Sequence, residues 1–296
     1  MKKLKVAWER LKDLYRKVNA LTGGVLGMLR EAIESFGDAY APQAAASMAY
    51  YTIFSLFPML LVFVTIASFF LTSEQAYREV VNFIQDIIPV SQGLIERNVR
   101  QVLKSRGTIG LVALLGLLWS SSSVFTLLAH HINLAWSEAE TRNFLQKRLV
   151  GMGMVAVFGL LLLLSLVSTT VLDLLPRFEL FLIDGAALHE TFLWKLVSAF
   201  VPWFFSFLMF FVLYRWTPNT DVEWRPAFLG ALIAAVGWRA ATNVLSWAVS
   251  SGFTNYELVY GSLGTIVALM FWAYLTGWIA LFGAHLSAAI SKHFCD

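Results

Sequence analysis

Six long apolar runs alternate along the chain with shorter polar stretches: 44–71, 109–134, 150–175, 196–216, 226–249 and 262–290. Each is longer than the about 20 residues an α-helix needs to cross the hydrocarbon layer of a bilayer. None alternates polar and apolar side chains with a period of two, so a β-barrel is excluded. A helix then remains to satisfy every backbone N–H and C=O within lipid. The pattern predicts an all-α, polytopic membrane protein of six transmembrane helices spanning 44–290, with a short tail at 291–296.

Two weaker periodicities flank the first run. In residues 1–43, Leu4, Trp8, Leu11, Tyr15 and Val18 recur at helical spacing among lysines and arginines, and a second amphipathic piece from Val25 to Phe36 leads to Pro42. Such a segment can lie on an anionic membrane surface or pack on the bundle. Between the first two runs, Val80, Ile84 and Ile87, then Ile95, Val99 and Val102, are broken by Pro89 and Gly93, which predicts two short amphipathic helices on the outer face. The basic N-terminus leads into no short apolar core with a cleavage site, so the expectation is a retained first helix.

Composition supports the membrane reading: 58% of residues are hydrophobic and 14% charged, against about 25% charged in soluble domains. Charge sets an orientation. Of the lysines and arginines outside the runs or at their ends, eight precede the first run, three lie between the second and third, two between the fourth and fifth counting Arg215 and Arg225, and one follows the sixth. The opposite side carries five in the first loop and two in the third. The excess predicts cytoplasmic N- and C-termini by the positive-inside rule. The net charge of +3 comes largely from the N-terminus, which suits anionic lipid head groups rather than nucleic acid. Cys295, the one cysteine, makes no intrachain disulfide.

Polar residues inside the runs form stripes. Ser47, Tyr51, Ser55 and Pro58 share a face of the first helix; Trp119, Ser123, Thr126, His130 and Asn133 share one on the second. Arg239, Asn243, Ser246 and Ser250 do so on the fifth. On the sixth, Ala273, Gly277, Ala280, Ala284 and Ser287 make a small-residue seam beside Tyr274, Trp278, Leu281 and His285. Arg239 stands out, because an arginine at mid-bilayer costs about 2.5–3.5 kcal/mol even on the mildest insertion scale. It is expected to face a wet cavity or acceptors such as Asn133, a histidine or helix carbonyls; Asp173, near the end of the third helix, and Glu257, in the loop after the fifth, reach it only if the cavity opens that way. Lacking a mid-span carboxylate, it reads as an anion receptor, with a structural arginine bonding free carbonyls at a helix break as the alternative.

Catalytic and cofactor motifs are missing from the sequence. His130 and His131 are adjacent, not one helical turn apart, so they do not match a helical metal site. No Gly-rich phosphate loop, nucleophile elbow or zinc cluster is present, and no cofactor is expected.

"AAASMAYYTIFSLFPMLLVF" at 44–63, "HINLAWSEAETRNFLQKRL" at 131–149 and "VYGSLGTIVALMFWAYLTGWIALFGAHLSAAI" at 259–290 together resemble the YihY/BrkB family of bacterial inner-membrane proteins. The resemblance implies six helices in the plasma membrane, a ribonuclease label of mistaken origin, an association with envelope phenotypes, and lipid or solute export as the usual suggestion. The family's last motif commonly reads Gly-Ala-Glu, whereas His285 occupies the acidic position here.

Three functions compete. The first is a transporter or flippase-like protein that moves an amphiphile or small anionic solute through a polar cavity around Arg239. Its pathway candidates are Arg239, Asn243, His130, Asn133, Ser123, Tyr51, Ser47 and His285, with His130 or His285 as proton carriers. The second is a membrane scaffold or envelope regulator without a transport cycle. An enzyme is the third and weakest, since acids for metal-assisted hydrolysis do not cluster. Partners are the phospholipid bilayer, an anionic or amphiphilic substrate and, in an assembly, further copies of the chain.

Overall fold

The computed structural model describes Asn19 and residues 24–70, 106–174, 192–251 and 264–295. Among them are seven helices and no strand: α1 (Val25–Asp38), α2 (Ala41–Phe70), α3 (Arg106–Asn133), α4 (Phe144–Leu174), α5 (Phe192–Trp216), α6 (Trp224–Ser250) and α7 (Gly264–Cys295). Residues 144–169, 194–216, 224–248 and 266–294 are long and apolar enough to cross a membrane. Helices α2 and α3, of 30 and 28 residues, coincide with the first two apolar runs. The basic segment before residue 19 and the two short helices expected at 74–104 lie outside the described residues.

Helices α2 to α7 form a closed ring in chain order: each packs on its sequence neighbour, and α7 returns to pack on α2. One end of the ring is densely packed. There Ala44, Ala45 and Met48 of α2, Leu128 and Ile132 of α3, Leu213 and Tyr214 of α5, Ala231 and Ala234 of α6, and Ala280, Leu281 and Ala284 of α7 form one buried cluster. The small residues set the spacing. A Cβ on Gly277 would come within 2.9 Å of Met48 Cε, and one on Gly230 within 2.6 Å of Ser287 Cβ and 3.0 Å of the Gly283 carbonyl. Tyr214, fully buried, donates its hydroxyl to the Ala280 carbonyl at 2.8 Å and so ties α5 to α7.

Helix α1 lies across this packed end. Tyr40, at φ 52, turns the chain from α1 into α2, and the Ala39 and Tyr40 amides close the last turn of α1 on Ser35 and Gly37 carbonyls. Ala32 packs on Leu286, Ala289 and Ile290 of α7. Phe36 stands edge-on to Trp278, with centroids 4.9 Å apart. On its polar side Glu31 accepts from Lys292 at 2.8 Å, and this exposed pair adds little stability.

The seam gives a direct test. Gly230→Ala should destabilise the detergent-solubilised protein by about 1–3 kcal/mol, because the close contacts of the new methyl are all backbone or Cβ atoms. Gly153→Ala, whose new methyl meets nothing within 4 Å, should change stability by less than about 1 kcal/mol in the same denaturant titration.

Candidate functional site

Next to the packed end, the ring lines a half-open cavity of about 400 Å³ to which all six helices contribute. Met48 and Thr52 come from α2, Phe125 and Leu128 from α3, Phe158 from α4, Ser206 and Phe210 from α5, Trp238 from α6, and Trp272, Ala273 and Thr276 from α7. The lining is aromatic and aliphatic with three hydroxyls. Two of these are consumed locally: Thr52 donates to the Met48 carbonyl at 2.8 Å and Ser206 to the Pro202 carbonyl at 3.0 Å. Thr276 Oγ1 is buried without a protein partner among the described residues, which leaves one polar handle on an apolar wall. No charged side chain is among the described residues lining it.

This differs from the polar cavity expected around Arg239. Arg239 and Asn243 are both exposed, and neither is among the residues that line this cavity. The reason lies in the face that α6 buries. Ala227, Ala231, Ala234 and Ala235 pack inward, and Trp238 follows them into the cavity. One residue further along, Arg239 is turned about 100° away from that face. Asn133, one of its expected acceptors, is engaged elsewhere, Glu257 is outside the described residues, and the Asp173 side chain is likewise not described.

A second, basic site lies on the outside of the ring between α2, α3 and α4. Tyr51, Ser123, Thr126, Leu127, His130, Lys147 and Arg148 line a groove of about 270 Å³. A neighbouring cavity of about 200 Å³ shares Thr126, His130 and Lys147 and adds Asn133 and Arg142. Arg148 is held in place: Nη1 donates to Ser123 Oγ at 3.0 Å, Nη2 donates to the Trp119 carbonyl at 3.1 Å, and the guanidinium lies 3.9 Å above the Trp119 ring. Gly151 allows this approach, since α4 runs against Thr126 and the Ser122 carbonyl where a Cβ would collide. Arg142 donates to the Thr217 carbonyl at 2.7 Å, and partial burial pushes its guanidinium below its ordinary pKa.

The polar stripe of α3 therefore faces α4. Ser123 and His130 meet in the basic groove with Tyr51, while Asn133 acts as a clamp between two connections: its Oδ1 accepts from the Asn219 amide at 2.7 Å and its Nδ2 donates to the Glu140 carbonyl at 3.1 Å. Ser47 is exposed and bonds back to the Gln43 carbonyl at 3.1 Å. His285, 1% exposed, is sealed under α1, where Nδ1 meets Ser35 Oγ at 2.8 Å. Lys147, Arg148 and Arg142 were counted as loop charges in the sequence. Their signal was an approach of basic residues to the start of a run that faces a polar stripe on the preceding helix.

The model of the family described as virulence factor BrkB matches residues 32–295. The chain is 28% identical over 277 residues to YfkH, a ribonuclease-like protein by name, of Bacillus subtilis, covering 90% of this chain and 96% of that one. It is 26% identical to a UPF0761 membrane protein of Mannheimia succiniciproducens, covering 84% of each chain. A UPF0761 membrane protein of Legionella pneumophila is 25% identical across 90% of this chain and 62% of its own length. No solved structure matches.

The Asn133 clamp is open to measurement. Asn133→Ala should cost about 1–3 kcal/mol, as it leaves the Asn219 amide without this acceptor. Limited proteolysis of the solubilised protein should then cut within 134–143 faster than in wild type.

Proposed function

The chain belongs to the BrkB family of membrane proteins, and from this premise we propose a transporter or flippase-like protein whose substrate, an apolar or amphiphilic molecule, occupies the cavity at the centre of the helix ring. The observation that carries the reading is that all six ring helices line one apolar cavity. A volume of about 400 Å³ falls in the range of small-molecule sites, about 300–1,000 Å³, and such sites are mostly apolar with a few placed polar groups. Thr276 is such a group. A small, fully hydrated anion would lose its water there without a compensating charge, so the lining favours an amphiphile.

The location we propose is the bacterial inner membrane, spanned six times, with the packed end and both termini in the cytoplasm. Arg30, Arg142, Lys147, Arg148, Arg215, Arg225 and Lys292 lie at or near that end, which accords with the positive-inside rule. A ring in chain order also has rigid helices that can rock about a fixed site, as alternating access requires. The scaffold reading draws on the alanine-lined packed end, which would not open in a protein without a transport cycle. We take the chain to be a non-enzyme.

Purified protein in liposomes decides between these readings. Wild type should move fluorescent short-chain phospholipid or an apolar dye across the bilayer. Ala273→Trp, which fills the cavity from α7, should cut the rate by about tenfold or more, equivalent to about 1.4 kcal/mol, at unchanged thermal stability. Arg239→Ala should stay within about twofold of wild type, a shift of about 0.4 kcal/mol. Liposomes no leakier than empty ones across a broad panel of probes would hand the protein to the scaffold reading. The ribonuclease-like name of the Bacillus subtilis relative supplies a control: labelled RNA should stay intact with the pure protein.

A further inference from the structure

We infer that the groove between α2, α3 and α4 binds the phosphate of an anionic phospholipid, on the outer face of the ring and apart from the central cavity. The two sites use opposite faces of α3. Val124, Phe125 and Leu128 face the cavity, while Ser123, Thr126 and His130 line the groove. The inference therefore does not rest on transport.

Charge comes first. The groove and the cavity beside it are lined by three cations, Arg142, Lys147 and Arg148, with no carboxylate among the described lining residues. Cations grouped without an acid are a receptor for an oxyanion. Geometry comes second. Arg148 is fixed by Ser123, the Trp119 carbonyl and the Trp119 ring before any ligand arrives, so little side-chain freedom is lost on binding. Its Nε is buried and has no protein partner among the described residues. Lys147 makes no ion pair among them either.

Apolar surface on the same face selects a lipid over free phosphate. The groove continues along α3 as Trp119 and Leu115, which are 60% and 65% exposed. On α2 it continues from Tyr51 to Phe54, with Tyr50 packed 5.2 Å from Phe54. Ser123, which holds Arg148, lies ten residues before the end of α3, about 15 Å along the axis. An acyl chain can follow the aromatic side chains while its phosphate stays with Lys147 and Arg148. Aromatic side chains beside basic ones are the usual furniture of the membrane interface.

The test is lipid retention by the full-length protein in detergent, read by native mass spectrometry with phosphatidylglycerol and phosphatidylcholine of identical acyl chains. Wild type should retain phosphatidylglycerol about tenfold better. Lys147→Gln, a change to a side chain that makes no ion pair among the described residues, should lose most of that preference, and Arg148→Gln all of it. Arg148→Lys, which keeps the charge but not the fork, should recover only part. Excess inorganic phosphate should not displace the lipid. Equal retention of the two lipids, or a preference unchanged in Lys147→Gln, overturns the inference; displacement by inorganic phosphate does so too, in favour of a free-anion site. If Arg148→Gln fails to fold, Lys147→Gln still decides. Ala273→Trp should keep the phosphatidylglycerol preference, so loss of transport and loss of this site are told apart.

Discussion

Helix α7 packs against α1, α2, α3, α5 and α6, and the ring exists because these neighbours can come close to it. In a bilayer, lipid tails are as apolar as leucine, so helices associate through tight packing and backbone proximity rather than by escaping water. Glycine and alanine at positions 277, 280, 283 and 284 meet Ala45 and Met48 on one side and Ala234 and Tyr214 on the other. Further along, the same seam continues as Ala273 and Gly277, which line the cavity together with Trp272 on α7 and Trp238 on α6. The small-residue face of α7 therefore serves both the packed end and the cavity wall.

Arg148 and Arg239 show how context decides what a charge in an apolar helix does. Arg148 lies in the second turn of α4, and its guanidinium finds a hydroxyl, a carbonyl and an indole face on α3. These groups stand in for water around a charge that cannot be shed. Arg239 sits on a helix whose inward face is already filled by alanines, and its side chain is exposed. Mid-span position marked Arg239 as the expensive one; packing built the defined environment around Arg148.

His285 gives a similar lesson on a smaller scale. Its place in the closing motif suggested a route for protons, yet it lies beneath α1, bonded to Ser35 and flanked by Phe36. A polar residue at membrane depth can serve to dock a terminal helix. Asn133 likewise joins two connections rather than receiving the Arg239 side chain.

Much of the fold was legible in the chain. Run length fixed the helical class, since only helices and closed barrels satisfy the backbone in lipid, and the ends of α2 to α7 fall within a few residues of the apolar runs. The polar stripe of α3 and the small-residue seam of α7 were also visible, because side chains three and four apart share a helix face whatever the helix packs against. Periodicity says which residues share a face but not what that face meets. That the α3 stripe receives Arg148, that α6 turns its alanines inward and leaves Arg239 out, and that six separate helices wall one cavity were decided by the order and rotation of helices around the ring, which depend on contacts between residues far apart in the chain.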